Sequence, residues 1–265
     1  MSEENQYVPP AVWKWNQDAV NKFSNINRPV SGAIEEKTLP VGVHPLQLYS
    51  LGTPNGVKVT IMLEELLALG KTEAEYDAHL INIGDGSQFG SGFVAINPNS
   101  KIPALLDRSA TPPIRVFESG AMLIYLAEKF DAFYPKDAAQ RAECLSWLMW
   151  QMGGLGPMLG QTHHFVKYNK GKSEYAEKRY SAEAQRLYGV LNKQLEGRDF
   201  IAGKDHGMYS IADMACWPWV SRFEWQEVDL NVFPNVKDWY LKIAARPAVQ
   251  AGYSVPKFTT DVPMA

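Results

Sequence analysis

The stretch Gln47-Leu48-Tyr49-Ser50-Leu51-Gly52-Thr53-Pro54-Asn55-Gly56-Val57-Lys58-Val59 decides how this chain reads. It is a short strand, a tight turn and the first turn of a helix. Leu46, Leu48 and Leu51 supply apolar residues to the strand, and Gly52-Thr53-Pro54-Asn55-Gly56 stops it. Proline suits a helix start, where its fixed φ fits and its missing N–H costs nothing. The helix is expected over 57–69, with Val59, Met62, Leu63, Leu66 and Leu67 on one face. A helix N-terminus presents unpaired N–H groups and partial positive charge, so the turn favours an anion. Thr53 and Asn55 add small hydrogen-bonding side chains there. On this stretch alone, an ordinary capped turn explains the same residues.

Working outward, residues 76–82 alternate and predict a second strand. The Gly-rich segment 84–92 lacks GxGxxG spacing and has no long helix behind it, which argues against a dinucleotide loop. In Asn97-Pro98-Asn99-Ser100-Lys101-Ile102-Pro103, Pro103 stands at the entrance to an apolar third strand, a place where cis X–Pro bonds occur. Ile102 would then offer its backbone to an extended peptide. A turn over 108–113 leads to a fourth strand, 114–117, antiparallel to the third. Glu118-Ser119-Gly120 opens a helix to residue 130, a second helix N-terminus with a hydroxyl at its start. Glu118 puts a carboxylate where it could hold an ammonium group.

Residues 1–44 read as an extended arm punctuated by Pro9, Pro10, Pro29 and Pro40, anchored by Trp13, Trp15 and Phe23. An α/β unit follows over 45–131, then a linker containing Pro135, then a helical domain over 139–250. Its first helix, 139–152, is expected to turn Leu145, Trp147, Leu148 and Met149 inward and to break at Gly153-Gly154-Leu155-Gly156-Pro157. A long helix over 173–195 carries Arg179. Ser210-Ile211-Ala212-Asp213 is a capping box with Asp in the place of Glu, opening a helix expected to be buried on all sides. Asp213 is thus read as structural. A last helix spans 235–245, and a loose tail is expected beyond it.

Composition narrows the function. At 265 residues, 46% hydrophobic and 21% charged, the chain is globular and long enough for two domains. A net charge of −3 with no Lys/Arg run gives no footprint for nucleic acid. The apolar run 121–127 is too short to span a bilayer. The N-terminus is acidic and polar, unlike a secretory signal, so a cytoplasmic protein is expected. Cys144 and Cys216 form no CxxC pair, which leaves neither a redox dithiol nor a zinc cluster; both read as free buried thiols. Adjacent His163 and His164 cannot both face one site on a helix, and no metal is expected.

The order of these features resembles the cytosolic glutathione transferases, and most closely their bacterial nu class of disulfide-bond oxidoreductases. The matching stretches are Asn25-Ile26-Asn27-Arg28-Pro29-Val30, Leu51-Gly52-Thr53-Pro54-Asn55-Gly56, 97–103, Phe117-Glu118-Ser119-Gly120, 153–161 and Cys216-Trp217-Pro218-Trp219. The resemblance as a whole covers about residues 7–250. Thr-Pro-Asn-Gly in place of a catalytic Tyr, Ser or Cys picks the class. Met152 stands where one such relative has a glutamine.

The resemblance implies α/β plus all-α architecture: a thioredoxin-like βαβ-ββα domain followed by an all-helical one. It implies glutathione as cosubstrate, one or two per subunit, small disulfides as substrates, and a homodimer. Thr53 and Asn55 are implied at the sulfur, Ile102 with Lys101 and Pro103 at the cysteinyl part, Glu118 and Ser119 at the γ-glutamyl end, and Gln88 at the glycine end. Asn27 and Arg179 match positions lining the place of a second glutathione. Two other functions are weighed beside disulfide reduction: transfer to electrophiles or reduction of peroxides, and non-catalytic glutathione binding.

Overall fold

The structure is a computed structural model that describes residues 8–15, 26, 28–29, 31–257 and 261–264. Strand β1 (Leu46–Ser50) is buried along its whole length. Helix α1 (Pro54–Ala68) follows, and β2 (Tyr76–Leu80) returns parallel to β1. After the short helix α2 (Ser91–Ile96) come β3 (Ala104–Asp107) and β4 (Ile114–Phe117), each antiparallel to its neighbour. The sheet order is β2-β1-β3-β4. Helix α3 (Ser119–Phe130) closes this half, which has the thioredoxin-like βαβ-ββα arrangement. The alternation of β1 with a glycine turn and an apolar helix fixes this half locally. Gly56 permits the turn, since a Cβ there would stand 2.1 Å from the Leu51 carbonyl oxygen.

The second half is all helical. Helix α4 (Ala138–Trp150) does not break at the glycines. The backbone winds through a π-turn stretch, Gln151–Leu155, into α5 (Gly156–Thr162) and a second π-wound stretch, His163–Tyr168. Glycine lowers helix propensity, but the winding continues through Gly153 and Gly154 because their neighbours Gln151, Leu155 and Gly156 are buried. Within α4, Cys144 and Leu148 are buried while Met149 stays half exposed, contrary to the inward placement expected for it. Helix α6 (Glu174–Gln194) is followed by α7 (Ile211–Val220), every residue of which is buried. Its capping box forms as expected: Asp213 accepts from the Ser210 N–H at 3.0 Å, from the Ile201 N–H at 2.9 Å and from Trp239 Nε1 at 2.9 Å.

Helix α8 (Pro234–Ala244) leads to α9 (Pro247–Tyr253), where a loose tail was expected. Pro247 supplies the N1 residue, and the helix lies against α1 so closely that Gly252 approaches the Ile61 backbone. Thr60 Oγ1 donates to the Gly252 carbonyl at 2.6 Å. Helix α1 is therefore packed against α3, α7 and α9, and Val57 to Leu63 are all buried. The single apolar face read from its sequence understates this.

The arm behaves in two ways. Residues 34–37 run along the segment 89–92, with Ile34 N–H on the Phe89 carbonyl at 3.0 Å and Gly92 N–H on the Lys37 carbonyl at 2.9 Å. Trp13 and Trp15 instead remain 66% and 44% exposed, less buried than anchors would be. Phe23 lies outside the described residues.

Candidate functional site

Two helix N-termini flank one cavity. Thr53 caps α1, its Oγ1 accepting from the Gly56 N–H at 3.3 Å, with Pro54 at the first helical position. The hydroxyl proton of Thr53 is left to donate elsewhere. At the start of α3, Glu118 holds φ 68°, a left-handed conformation that a non-glycine residue adopts at a cost of about 1–3 kcal/mol. Its side chain makes no cap bond, so the first amides of α3 stay uncapped by it. The cavity between these termini has a volume of about 320 Å³. Thr53, Asn55, Gln88, Lys101, Ile102, Pro103, Glu118 and Ser119 all line it. Eight of the ten residues expected at the site are thus brought together by the starts of α1 and α3, the loop before β3 and the turn 87–89 between β2 and α2.

The loop 97–101 is held from within. Asn97 is buried; its Nδ2 donates to the Lys101 carbonyl at 2.5 Å and its Oδ1 accepts from the Asn99 N–H at 2.9 Å. Among the described residues no hydrogen bond is made to the backbone of Ile102, which stands free at the cavity wall. The Ile102–Pro103 bond is cis. Ser100, at φ 53°, buries a hydroxyl with no hydrogen-bond partner against the same cavity. Lys101 Nζ donates to the Ile26 carbonyl at 3.0 Å, and burial pulls its pKa down. Ile26 itself lines the cavity, so the arm reaches the site.

Two expected residues are not placed there. Asn27 lies outside the described residues. Arg179 is exposed on α6 and is absent from the cavity wall of this chain.

Two residues at the site, Trp219 and Lys58, were not expected from the sequence, and Met152, which stands where one relative has a glutamine, joins them. Trp219, 8% exposed on α7, donates from Nε1 to Asn55 Oδ1 at 3.1 Å. That bond fixes which end of the Asn55 amide is an acceptor and leaves its N–H donors for the cavity. Trp219 stacks on buried His163, whose pKa burial lowers to about 4, so that ring is neutral near pH 7. Lys58, fully buried on α1, donates to Gln151 Oε1 at 2.5 Å and to Ser119 Oγ at 3.2 Å. Met152 lines the cavity beside it, its Sδ 3.3 Å from Lys58 Nζ. Both cysteines are buried; neither lines the cavity, and burial raises both thiol pKa values.

Residues 44–128 match the glutathione S-transferase N-terminal domain, and residues 151–247 match the glutathione S-transferase C-terminal domain. The chain is 56% identical to the disulfide-bond oxidoreductase YghU of Escherichia coli (strain K12), covering 94% of this chain and 88% of that protein. The chain belongs to the glutathione S-transferase family. It is 47% identical to the disulfide-bond oxidoreductase YfcG of the same organism, over 77% of this chain and 92% of that one. Among solved structures, the glutathione transferase YghU of Streptococcus pneumoniae, complexed with glutathione, superposes with a TM-score of 0.88. It is 47% identical, covering 95% of this chain and 98% of that one. A glutathione transferase of Pseudomonas putida with one glutathione disulfide bound per subunit superposes at 0.74, with 41% identity over 80% and 92% of the two chains. This glutathione S-transferase is accordingly an enzyme. Among its described residues no helix is long and apolar enough to cross a membrane, and no cluster of His, Cys, Asp and Glu could hold a metal.

Proposed function

We propose that this enzyme reduces small disulfides with glutathione, the reactive sulfur belonging to the bound tripeptide. The observation that carries the reading is the cavity itself. It joins two helix N-termini, a free hydroxyl and an oriented amide, while both protein thiols lie buried away from it. Glu118 and Ser119 hold the γ-glutamyl end, Ile102 beside Lys101 and Pro103 pairs with the cysteinyl backbone, and Gln88 receives the glycine end. Thr53 and Asn55 then face the sulfur. Asn27 and Arg179 serve a second glutathione. The enzyme works as a homodimer in the cytoplasm, where free thiols persist.

A free thiol has a pKa of about 8.5 and is only a few per cent thiolate at pH 7. Lowering it by roughly two units takes about 2.7 kcal/mol of preference for the anion. A helix terminus supplies about 0.3–1 kcal/mol and a hydrogen bond to a charged group about 1.5–3 kcal/mol, which together suffice. The thiolate attacks one disulfide sulfur and expels the other as a thiolate, leaving a mixed disulfide. A second glutathione displaces the remaining substrate thiolate and forms glutathione disulfide. Two thiols are oxidised for each disulfide reduced, and the protein's part is to hold, ionise and align them.

The test sets three assays side by side: a model disulfide with glutathione, an aryl halide with glutathione, and a hydroperoxide with glutathione. Disulfide turnover is expected to exceed the other two. Faster conjugation or peroxide reduction would make this a transferase or peroxidase, and tight binding without turnover would make it a binding protein.

A further inference from the structure

Lys58 presents an unsolved electrostatic problem. Its ammonium group is fully buried, and its hydrogen-bond partners are Ser119 Oγ, Gln151 Oε1 and Met152 Sδ, all neutral. Among the described residues no carboxylate lies within ion-pair distance of it. A buried cation without an anion is costly, and such groups are kept where an anion arrives. The charged and titratable groups facing it are Glu118 at the head of α3 and the Cys216 thiol on α7. Burial pulls the lysine pKa down to about 7, against the upward pull of those two groups. Lys58 also lines a second cavity of about 290 Å³, with Gln151 and Gly156, which shares Asn55, Glu118, Met152 and Trp219 with the first.

The geometry has a direction. Ser119 Oγ accepts from Lys58 and donates only to Met152 Sδ at 3.7 Å, a weak acceptor that an arriving carboxylate would replace. The uncapped amides of α3 start at the same residue. Lysine, hydroxyl and helix terminus therefore converge on one point, with the Glu118 carboxylate beside it on the cavity wall. That pattern fits a zwitterionic head: ammonium on Glu118, carboxylate on Ser119.

We propose that Lys58 is a positioning residue that acts through Ser119 as the buried counter-cation of the ligand's α-carboxylate, so that this site selects an α-amino-acid head. The inference deepens the glutathione reading and rests on it. A carboxylate arriving above Lys58 stabilises its charged form, so binding above the lysine's resting pKa draws in a proton.

Three S-methylated probes, which have no thiol to ionise, test this by calorimetry at about pH 8 in buffers of different ionisation enthalpy. S-methylglutathione keeps both head groups, the glutaryl analogue lacks the ammonium, and the 4-aminobutyryl analogue lacks the α-carboxylate. The wild type is expected to take up protons with the first two and less with the third. Lys58→Met is expected to lose about tenfold in affinity for the first two, lose proton uptake with them, and bind the third as the wild type does. Equal weakening for all three probes, or uptake that survives the substitution, would overturn the proposal. The wild-type comparison stands even where the variant fails to fold, because equal uptake with all three probes refutes it alone. A wild type that binds none of the probes refutes the glutathione reading instead.

Discussion

At the scale of single residues, the proposed chemistry rests on Thr53 and Asn55. Thr53 uses Oγ1 as a cap acceptor, and in the proposed mechanism its hydroxyl donates to the ligand sulfur. Thr53→Ala should therefore lower kcat by at least about tenfold with little change in KM, and Thr53→Ser should restore it, since serine caps equally well. Unchanged turnover in the alanine variant refutes the role given to that hydroxyl. Asn55 depends on Trp219 for its orientation. Trp219→Phe keeps a ring against His163 but removes the donor, so kcat should fall about tenfold while glutathione KM stays within about twofold. A rise in KM alone would show that the indole serves binding instead. Thr53 and Asn55 were legible because capping is local, settled within three residues. Lys58 and Trp219 were not. Lys58 meets Ser119 61 positions away and Gln151 93 away, and Trp219 meets Asn55 across 164. No period or spacing records a partner at that distance.

At the scale of elements, strands and caps followed the sequence because alternation, proline and glycine act over a few residues. Three features did not follow. Helix α1 buries every residue from Val57 to Leu63 because α3, α7 and α9 all pack against it. The helix expected to stop at Gly153 continues because burial of Gln151, Leu155 and Gly156 outweighs glycine's cost. The segment 247–253 is a helix because Gly252 allows it to touch α1. The sheet is tied to α3 by Asp107, whose carboxylate accepts from Lys129 Nζ at 2.5 Å and Tyr125 OH at 2.6 Å. Burial would raise its pKa, but hydrogen bonds from Lys129, Tyr125 and Ser109 prevail and hold it at about 2. The folded value thus lies below the unfolded one of about 3.9, so the contribution is whole above about pH 4 and fades as pH falls toward 2. Asp107→Asn should flatten the acid limb of stability by roughly 2 kcal/mol, read from urea unfolding at a series of pH values. An acid limb identical to wild type would remove Asp107 from that account.

At the scale of the whole molecule, the site depends on how the helical half is fastened to α1. Arg246, just before α9, forks onto Glu65 of α1 at 2.6 and 2.7 Å, and Glu65 is 3% exposed. Arg246→Leu strands a buried carboxylate and should cost about 3 kcal/mol, the low end for such a pair because the arginine keeps contact with solvent. Adding Glu65→Leu should recover part of that loss in chemical denaturation; no recovery would mean the pair is not the fastening. Held this way, Trp219 and Gln151 come from the second half to complete a cavity opened by the first. The two-part architecture was legible, but the joint was not, because Glu65 and Arg246 stand 181 positions apart. The central claim is that a borrowed sulfur performs the redox step. The direct measurement is glutathione-dependent disulfide reduction by the Cys144→Ser, Cys216→Ser double variant, with its fold checked by circular dichroism. Activity within about twofold of wild type, with one glutathione disulfide formed per disulfide reduced, is the predicted result. Loss of activity in a folded double variant would contradict it.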